Sequence, residues 1–372
     1  MLQRFCTGLI ASGLVALLLK FVGMESAPPQ RAQELAWQKL PIFALQTDPD
    51  PLAEATVRQF LQVWSTKGAA VSQGVWIQSG LSILADHQGK VPLPAASLTK
   101  IATTLAALDK WGPGHQFETL VSATGPVKDG VVQGDLVISG SGDPFFVWEE
   151  AIAVGNSLNQ MGIRRIAGNL VIADAFYMNY EVNPTTAGQL LLKALNSSLW
   201  TPEIGGQHGM MPPKTPKPQI AIAGSLKIAM VPIPKTFLLL RHHSLPLNQI
   251  LKEMNIYSNN EMAEILARNL GGPQVTAQMA AKSADIPLEE INMVNGSGLG
   301  VENRISPRAV CAMLTTVEHF LQGHKLDVDD IFPVAGREHR GTMQARKLPL
   351  GTAVKTGTLN TVSALAGRMP TR

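Results

Sequence analysis

Apolar positions recur along this chain with two periods. In "SLTKIATTLAALDKW", Ile101, Leu105 and Leu108 fall at i, i+4 and i+7, the stripe of a helix, and "GPG" at 112–114 stops it. Residues 54–66 also have helical character, and "LNQILKEMN" and "NEMAEILARNL", the second closed by "GGP", predict helices after residue 247. Shorter, β-prone runs with glycine punctuation lie between these helices. "GVWIQSG" and "LSILADHQG" predict an antiparallel pair of strands. "TLVSATG", "GVVQGDLVISGSGDP" and "AGNLVIADAF" predict more strands, interrupted by a helix at 147–161. Five prolines in 202–218 predict a loop, and "TAVKTGTLN" and "VSALAGRM" predict two final strands.

This alternation divides the chain. Arg4 precedes the uncharged stretch "TGLIASGLVALLL", which is shorter than the roughly 20 residues a membrane span needs. Residues 1–27 therefore read as a signal peptide or a membrane anchor, followed by a linker at 28–53 rich in Pro, Gln and Asp. Residues 54–114 and 246–372 read as one mixed domain, and 115–245 as a β-rich insertion within it.

Composition narrows the class. With 372 residues, 45% of them hydrophobic, the chain can bury a sizeable core and could divide into two or three units. A net charge of +3 without a long basic run gives no electrostatic argument for nucleic acid. Two cysteines, Cys6 and Cys311, make no disulfide framework. There is no HExxH, and His242-His243 are adjacent rather than helix-spaced, so the sequence calls for no metal or other cofactor.

The candidate chemistry begins at "SLTK". On a helix, residues three apart share a face, so Ser97 and Lys100 can meet at a first turn where backbone N–H groups lack intrahelical acceptors. That places a nucleophile beside a base and oxyanion donors. For the lysine to act as a base it must be neutral, which requires burial or a second cation nearby. "VKTGT" at 354–358 supplies a lysine on an apparent strand, a glycine that admits close approach, and threonine hydroxyls. "SNN" at 258–260 opens a helix; taken singly, Ser258 and Asn260 read as capping residues. "GSGDP" at 140–144 reads as a structural turn, "GSGLG" at 296–300 as a loop shaping a cleft, and Met210-Met211 as local packing.

The ordered trio S-x-x-K, S-x-N, K-T-G resembles the penicillin-binding protein and serine β-lactamase superfamily. "YSNNEMAEIL", "GDLVISGSGDP" and "VNGSGLGVENRISPRAV" narrow the resemblance to one family of low-molecular-mass penicillin-binding proteins, the D-alanyl-D-alanine carboxypeptidase/endopeptidase family. The 161 positions between Ser97 and Ser258 match that family's large insertion. The resemblance implies an α/β (α+β) fold: a transpeptidase-like core with an antiparallel sheet flanked by helices, plus the insertion. It implies that Ser97 attacks the carbonyl between two terminal D-alanines of a peptidoglycan stem peptide. Lys100 takes its proton, and Ser258 relays a proton to the leaving amine. Asn260 holds the peptide amide, while Lys355, Thr356, Gly357 and Thr358 form the carboxylate-binding strand. The N–H groups of Ser97 and Thr358 form the oxyanion hole. β-Lactams are the implied inhibitors, and the periplasm or cell-envelope exterior the implied location.

Two departures from the family pattern carry expectations of their own. Asn259 replaces the commoner Asp and should point away from the cleft. Only 15 residues follow Gly357, so a last strand and a closing helix are expected to be missing. A truncated, catalytically impaired remnant and a serine β-lactamase or esterase are the alternatives.

Overall fold

A computed structural model describes residues 49–65, 73–231, 233, 235–344 and 346–370. The predicted signal or anchor at 1–27 and nearly all of the 28–53 linker lie outside the described residues. Among the described residues no helix is long and apolar enough to cross a membrane.

In chain order, α1 (Pro51–Ser65) precedes a two-stranded sheet of β1 (Val75–Ser79) and β2 (Ser82–His87). A 3-10 turn, Ala96–Leu98, leads into α2 (Thr99–Trp111), which ends where Gly112 takes a φ of 78°. There follow β3 (Glu118–Ala123), β4 (Leu136–Ser141), α3 (Trp148–Gln160), β5 (Leu170–Ala175), α4 (Pro184–Ala194), α5 (Pro202–Met210), β6 (Leu226–Ile228) and β7 (Phe237–His243). The chain then runs through α6 (Leu247–Tyr257), α7 (Asn260–Asn269), α8 (Pro273–Ser283) and α9 (Pro307–Gln322) to β8 (Ala353–Leu359) and β9 (Val362–Arg368).

One apolar core is built around α2. Ala-rich and flanked by α7, α8 and α9, it is buried from Thr99 to Leu108, with Ile101, Leu105 and Leu108 fully inaccessible. A helix buried on every side belongs at the centre of a helical layer. Leu251 and Met254 of α6, Met262 and Leu266 of α7, Ala277 and Ala280 of α8, and Met313 and Val317 of α9 close around it. Capping makes the ends of these helices definite: Ser306 Oγ accepts from Ala309 N at 3.0 Å, with Pro307 as the first helical residue, where its missing N–H costs nothing.

A second core lies within 115–245. Its five-stranded sheet runs β6-β5-β4-β3-β7, with β4, β5 and β6 parallel and β3 antiparallel to both β4 and β7. Register sets Leu136 opposite Leu170 and Ile138 opposite Ile172; these four side chains pack with Ile152 and Leu158 of α3 and Leu191 of α4. This region, expected to be β-rich, carries α3, α4 and α5 as well as its strands.

The loop expected over 202–218 is corrected by α5. Pro202 starts that helix after Thr201, and the four other prolines of the stretch all lie beyond Met211. Helix α4, whose Asn183 cap accepts from the N–H groups of Thr185 and Thr186, has no counterpart in the sequence-based expectation.

The overall class is mixed α/β, with sheets flanked by helices. β8 and β9 pair antiparallel from Ala353↔Arg368 to Leu359↔Val362, and β1–β2 is a separate two-stranded sheet. Helix α9 supports both: Thr315 Oγ1 accepts from Gln78 Nε2 of β1 at 3.4 Å, and Glu318 accepts from Arg368 Nη1 of β9 at 2.7 Å. Leu93–Pro94 pairs with Arg304–Ile305, and Ala95 N donates to Asn303 O at 2.9 Å, which anchors the chain just before Ser97.

Candidate active site

Ser97 lies in the middle of the 3-10 turn and does not cap α2; the helix proper begins after Leu98, without a side-chain cap. Ala96, before it, holds a left-handed φ of 46°, a strained backbone for a residue with a β-carbon. The turn is fixed by packing. Gly298, at φ 86°, lies so close beneath it that a β-carbon there would stand 1.8 Å from the Ala96 carbonyl oxygen.

One turn later, Lys100 is completely inaccessible. Its Nζ lies 3.1 Å from Ser97 Oγ, 2.8 Å from Asn260 Oδ1 and 2.7 Å from the Ser297 carbonyl. A neutral amine has two N–H donors and one lone pair. The two carbonyl-type oxygens can only accept, so they take both donors, and the lone pair is left for the Ser97 hydroxyl. Burial lowers the Lys100 pKa to about 8, against the opposing pull of the Glu264 and Glu261 carboxylates.

The second lysine comes from β8. Lys355, also inaccessible, donates to Ser258 Oγ at 2.9 Å and to the Thr356 carbonyl at 2.9 Å. Burial first, then the Lys100 charge and that of Arg346, push its pKa well below the usual lysine value. Side chains alternate along a strand, which sets Lys355 and Gly357 on one face of β8 and Thr356 and Thr358 on the other. Thr356 is buried and Thr358 exposed. A β-carbon on Gly357 would stand 2.9 Å from Ala95 O and 3.2 Å from Ser97 N, so glycine alone lets the strand lie this close to the serine turn.

The S-x-N segment forms the junction of α6 and α7. Ser258 terminates α6 in the left-handed region, φ 53°, and Asn260 is the first residue of α7. The helix cap is Asn259, whose Oδ1 accepts from Met262 N at 2.8 Å. Capping thus falls to the middle residue of the motif, while Ser258 and Asn260 turn to the two lysines. The structure joins Ser97, Lys100 and Asn260 in one hydrogen-bonded group and Ser258 and Lys355 in a second, related to the first by the Lys100 charge acting on Lys355, with Gly357 against the serine turn.

Sequence reasoning missed two participants. The Ser297 carbonyl is a backbone group and leaves no mark in the sequence. Glu264 accepts from the N–H groups of Gly296 and Ser297, each at 3.0 Å; its signal was its place four residues after Asn260 on a helix. The histidine pair lies on β7, where His242 is 2.8 Å from a Glu150 carboxylate oxygen.

A sequence model of the D-Ala-D-Ala carboxypeptidase 3 (S13) family matches residues 59–186 and 214–372. The chain belongs to that family. A carboxypeptidase of Mycobacterium tuberculosis is 25% identical over 335 residues, covering 76% of this chain and 69% of that protein. A D-alanyl-D-alanine carboxypeptidase of Haemophilus influenzae is 28% identical over 99 residues, so the match spans 27% of this chain and only 21% of that protein. Among solved structures, the penicillin G-acylated predatory endopeptidase of Bdellovibrio bacteriovorus, in complex with an immunity protein, has a TM-score of 0.66 at 25% identity and covers 78% of each chain. Penicillin binding protein 4 of Haemophilus influenzae in complex with a β-lactam superposes with a TM-score of 0.62 at 19% identity, covering 82% of this chain and 89% of that one. This family member therefore shares its fold with penicillin-binding proteins.

Proposed function

We propose that the chain is a serine-type D-Ala-D-Ala carboxypeptidase, with endopeptidase activity on cross-linked stem peptides, that is acylated by penicillins. The observation that carries this reading is the buried amine of Lys100, whose two acceptors on Asn260 and Ser297 leave its lone pair for Ser97. In support stand the family membership and a penicillin-acylated relative of the same fold.

In this reading Lys100 takes the hydroxyl proton as Ser97 Oγ attacks the carbonyl between two D-alanines. The negative oxygen is received by the N–H groups of Ser97 and Thr358, where losing one such donor costs about 3 kcal/mol in other enzymes. The carbon–nitrogen bond then breaks, Ser258 passes a proton to the departing amine, and Lys355, close to Ser258, replenishes it. Asn260 orients both Lys100 and the substrate amide. Lys355, Thr356 and Thr358 receive the terminal carboxylate, and Gly357 keeps β8 within reach of the serine. Water attacks the acyl-enzyme by the same route in reverse and frees Ser97.

Residues 54–114 and 246–372 would form the catalytic domain, and 115–245 an insertion bearing on substrate choice. Peptidoglycan as substrate places the enzyme outside the cytoplasmic membrane, delivered by residues 1–27.

The test is mass spectrometry after incubation with penicillin G. The expected result is one adduct of the intact penicillin mass on Ser97, absent in Ser97→Ala, together with release of D-alanine from a pentapeptide. An unlabelled wild type would leave a catalytically impaired remnant. Rapid turnover of the β-lactam would make the chain a β-lactamase.

A further inference from the structure

The loop 295–300 has more to do than shape the cleft. Its Ser297 carbonyl is one of the acceptors that orient Lys100, at 2.7 Å. The peptide units on both sides of Ser297 are held in turn. Gly296 N donates to Glu264 Oε2 and Ser297 N to Glu264 Oε1, each at 3.0 Å, so a single carboxylate grips two successive N–H groups. Thr103 Oγ1 donates to Gly296 O at 2.7 Å and ties the loop to α2 within a turn of Lys100. Asn295 Oδ1 accepts from Gly298 N at 2.8 Å, and Gly298 lies beneath Ala96.

Asn260 and Glu264 stand four residues apart on α7 and so share one face. Asn260 touches Lys100 directly, whereas Glu264 reaches it through the backbone of Ser297, from its N–H to its carbonyl. We propose that Glu264 is a positioning residue for acyl transfer: its two-pronged grip on the 295–300 loop holds the Ser297 carbonyl where it aligns the Lys100 amine on Ser97.

The carboxylate also acts through its charge. Lys100 is faced by Glu264 and Glu261 from α7 and by Lys355 from β8, with Arg346 beside Lys355 and Tyr180 facing Glu261. Glu264 is the strongest of the charges opposing the fall in the Lys100 pKa. Removing it leaves the amine neutral at a lower pH. One residue therefore helps to direct the lone pair, through the Ser297 carbonyl, and raises the pH at which burial frees it.

This inference rests on the reading of Lys100 as the base. The experiment follows penicillin acylation by purified full-length protein across pH 5–10, in wild type, Glu264→Gln and Glu264→Asp. With an amide in place of the carboxylate, one N–H loses its acceptor and the charge disappears. Glu264→Gln should lower the plateau rate by about tenfold, the equivalent of one lost hydrogen bond, and move the acidic limb to lower pH. Glu264→Asp keeps the charge but is too short to span both N–H groups, so its plateau should fall while the limb stays in place. An unmoved limb in Glu264→Gln overturns the proposal. If that variant does not fold, Glu264→Asp decides, and a plateau within twofold of wild type overturns it. A wild type that takes up no penicillin removes the enzymatic reading and this inference with it; a labelled wild type confines any failure to Glu264.

Discussion

Lys355 Nζ stands 2.9 Å from Ser258 Oγ, so the amine of the K-T-G strand meets the hydroxyl of the S-N-N segment directly. With Lys100, this puts two inaccessible amines at one site; burial loosens the hold of each on its proton, and the Lys100 charge loosens that of Lys355 further.

That arrangement makes stability rise with pH. The folded Lys100 loses its proton at about 8, whereas an unfolded lysine keeps it to 10.5. Between those values the unfolded chain binds more protons, and the linkage slope is therefore positive. Below pH 8 the folded protein carries the buried charge in full. The gain across the window is on the order of 3 kcal/mol for this group. Thermal unfolding followed by circular dichroism should show a Tm that climbs from pH 7.5 to 10, with a flatter slope in Lys100→Met. Parallel curves for the two proteins would mean that Lys100 titrates normally.

Asn259 and Asn260 are neighbours with opposite duties, and substitution should separate them. Asn259→Ala removes the cap on α7 and should cost about 1 kcal/mol, a few degrees in Tm, with penicillin acylation nearly unchanged. Asn260→Ala removes an acceptor of Lys100 and should slow acylation by about a hundredfold, with little change in Tm. Reversal of this pattern would assign the roles the other way.

Much of this site was legible because its chemistry is local. Ser97 and Lys100 are three residues apart, and the apolar period of α2 announces a buried helix, so their meeting follows from helix geometry. The convergence of Ser258, Asn260 and Lys355 on that pair was legible only through motif order, because strand β8 reaches Ser97 by tertiary packing that no local period encodes. The Ser297 carbonyl was invisible for a simpler reason: a backbone group has no residue identity. Helix α5 was misread because five prolines were counted without regard to position; Pro202 occupies the one turn that tolerates proline. Helix α4 is stabilised by its Asn183 cap and by packing on β5 and β6, contacts made only once the sheet exists.

Asp143, in the "GSGDP" turn, offers a pH test of a second buried group. Its carboxyl is buried, and Oδ1 accepts from Phe145 N at 2.8 Å. Burial raises its pKa to about 7, only partly offset by the Phe145 hydrogen bond. Here the folded state binds the extra proton, so the sign is opposite to that of Lys100: stability is lost as pH rises from about 4 to 7. Asparagine keeps the acceptor for Phe145 and carries no charge. Asp143→Asn should therefore raise Tm by several degrees at pH 8 and converge with wild type at pH 4. Equal Tm values at pH 8 would show the carboxylate to be solvated.

The two glycines against the serine turn should respond unequally to the same added methyl group. At Gly357 a β-carbon would meet Ala95 O at 2.9 Å, with Ala96 Cβ and Ser97 N at 3.2 Å, in a strand whose backbone accepts alanine. The strand can move outward by a few tenths of an ångström, which lengthens the reach between Ser97 and β8. Gly357→Ala should fold with a Tm within a few degrees of wild type and acylate at least tenfold more slowly, since small misplacements of reacting groups carry large rate penalties. Gly298 has no such escape. Its φ of 86° disfavours any side chain, and the 1.8 Å approach to Ala96 O is a backbone clash that only displacement of the whole turn can relieve. That displacement would carry Ser97 away from Lys100 and break the loop's hold on its carbonyl. Gly298→Ala should lose both penicillin labelling and several degrees of Tm. If it labels at the wild-type rate, the loop does not brace the nucleophile.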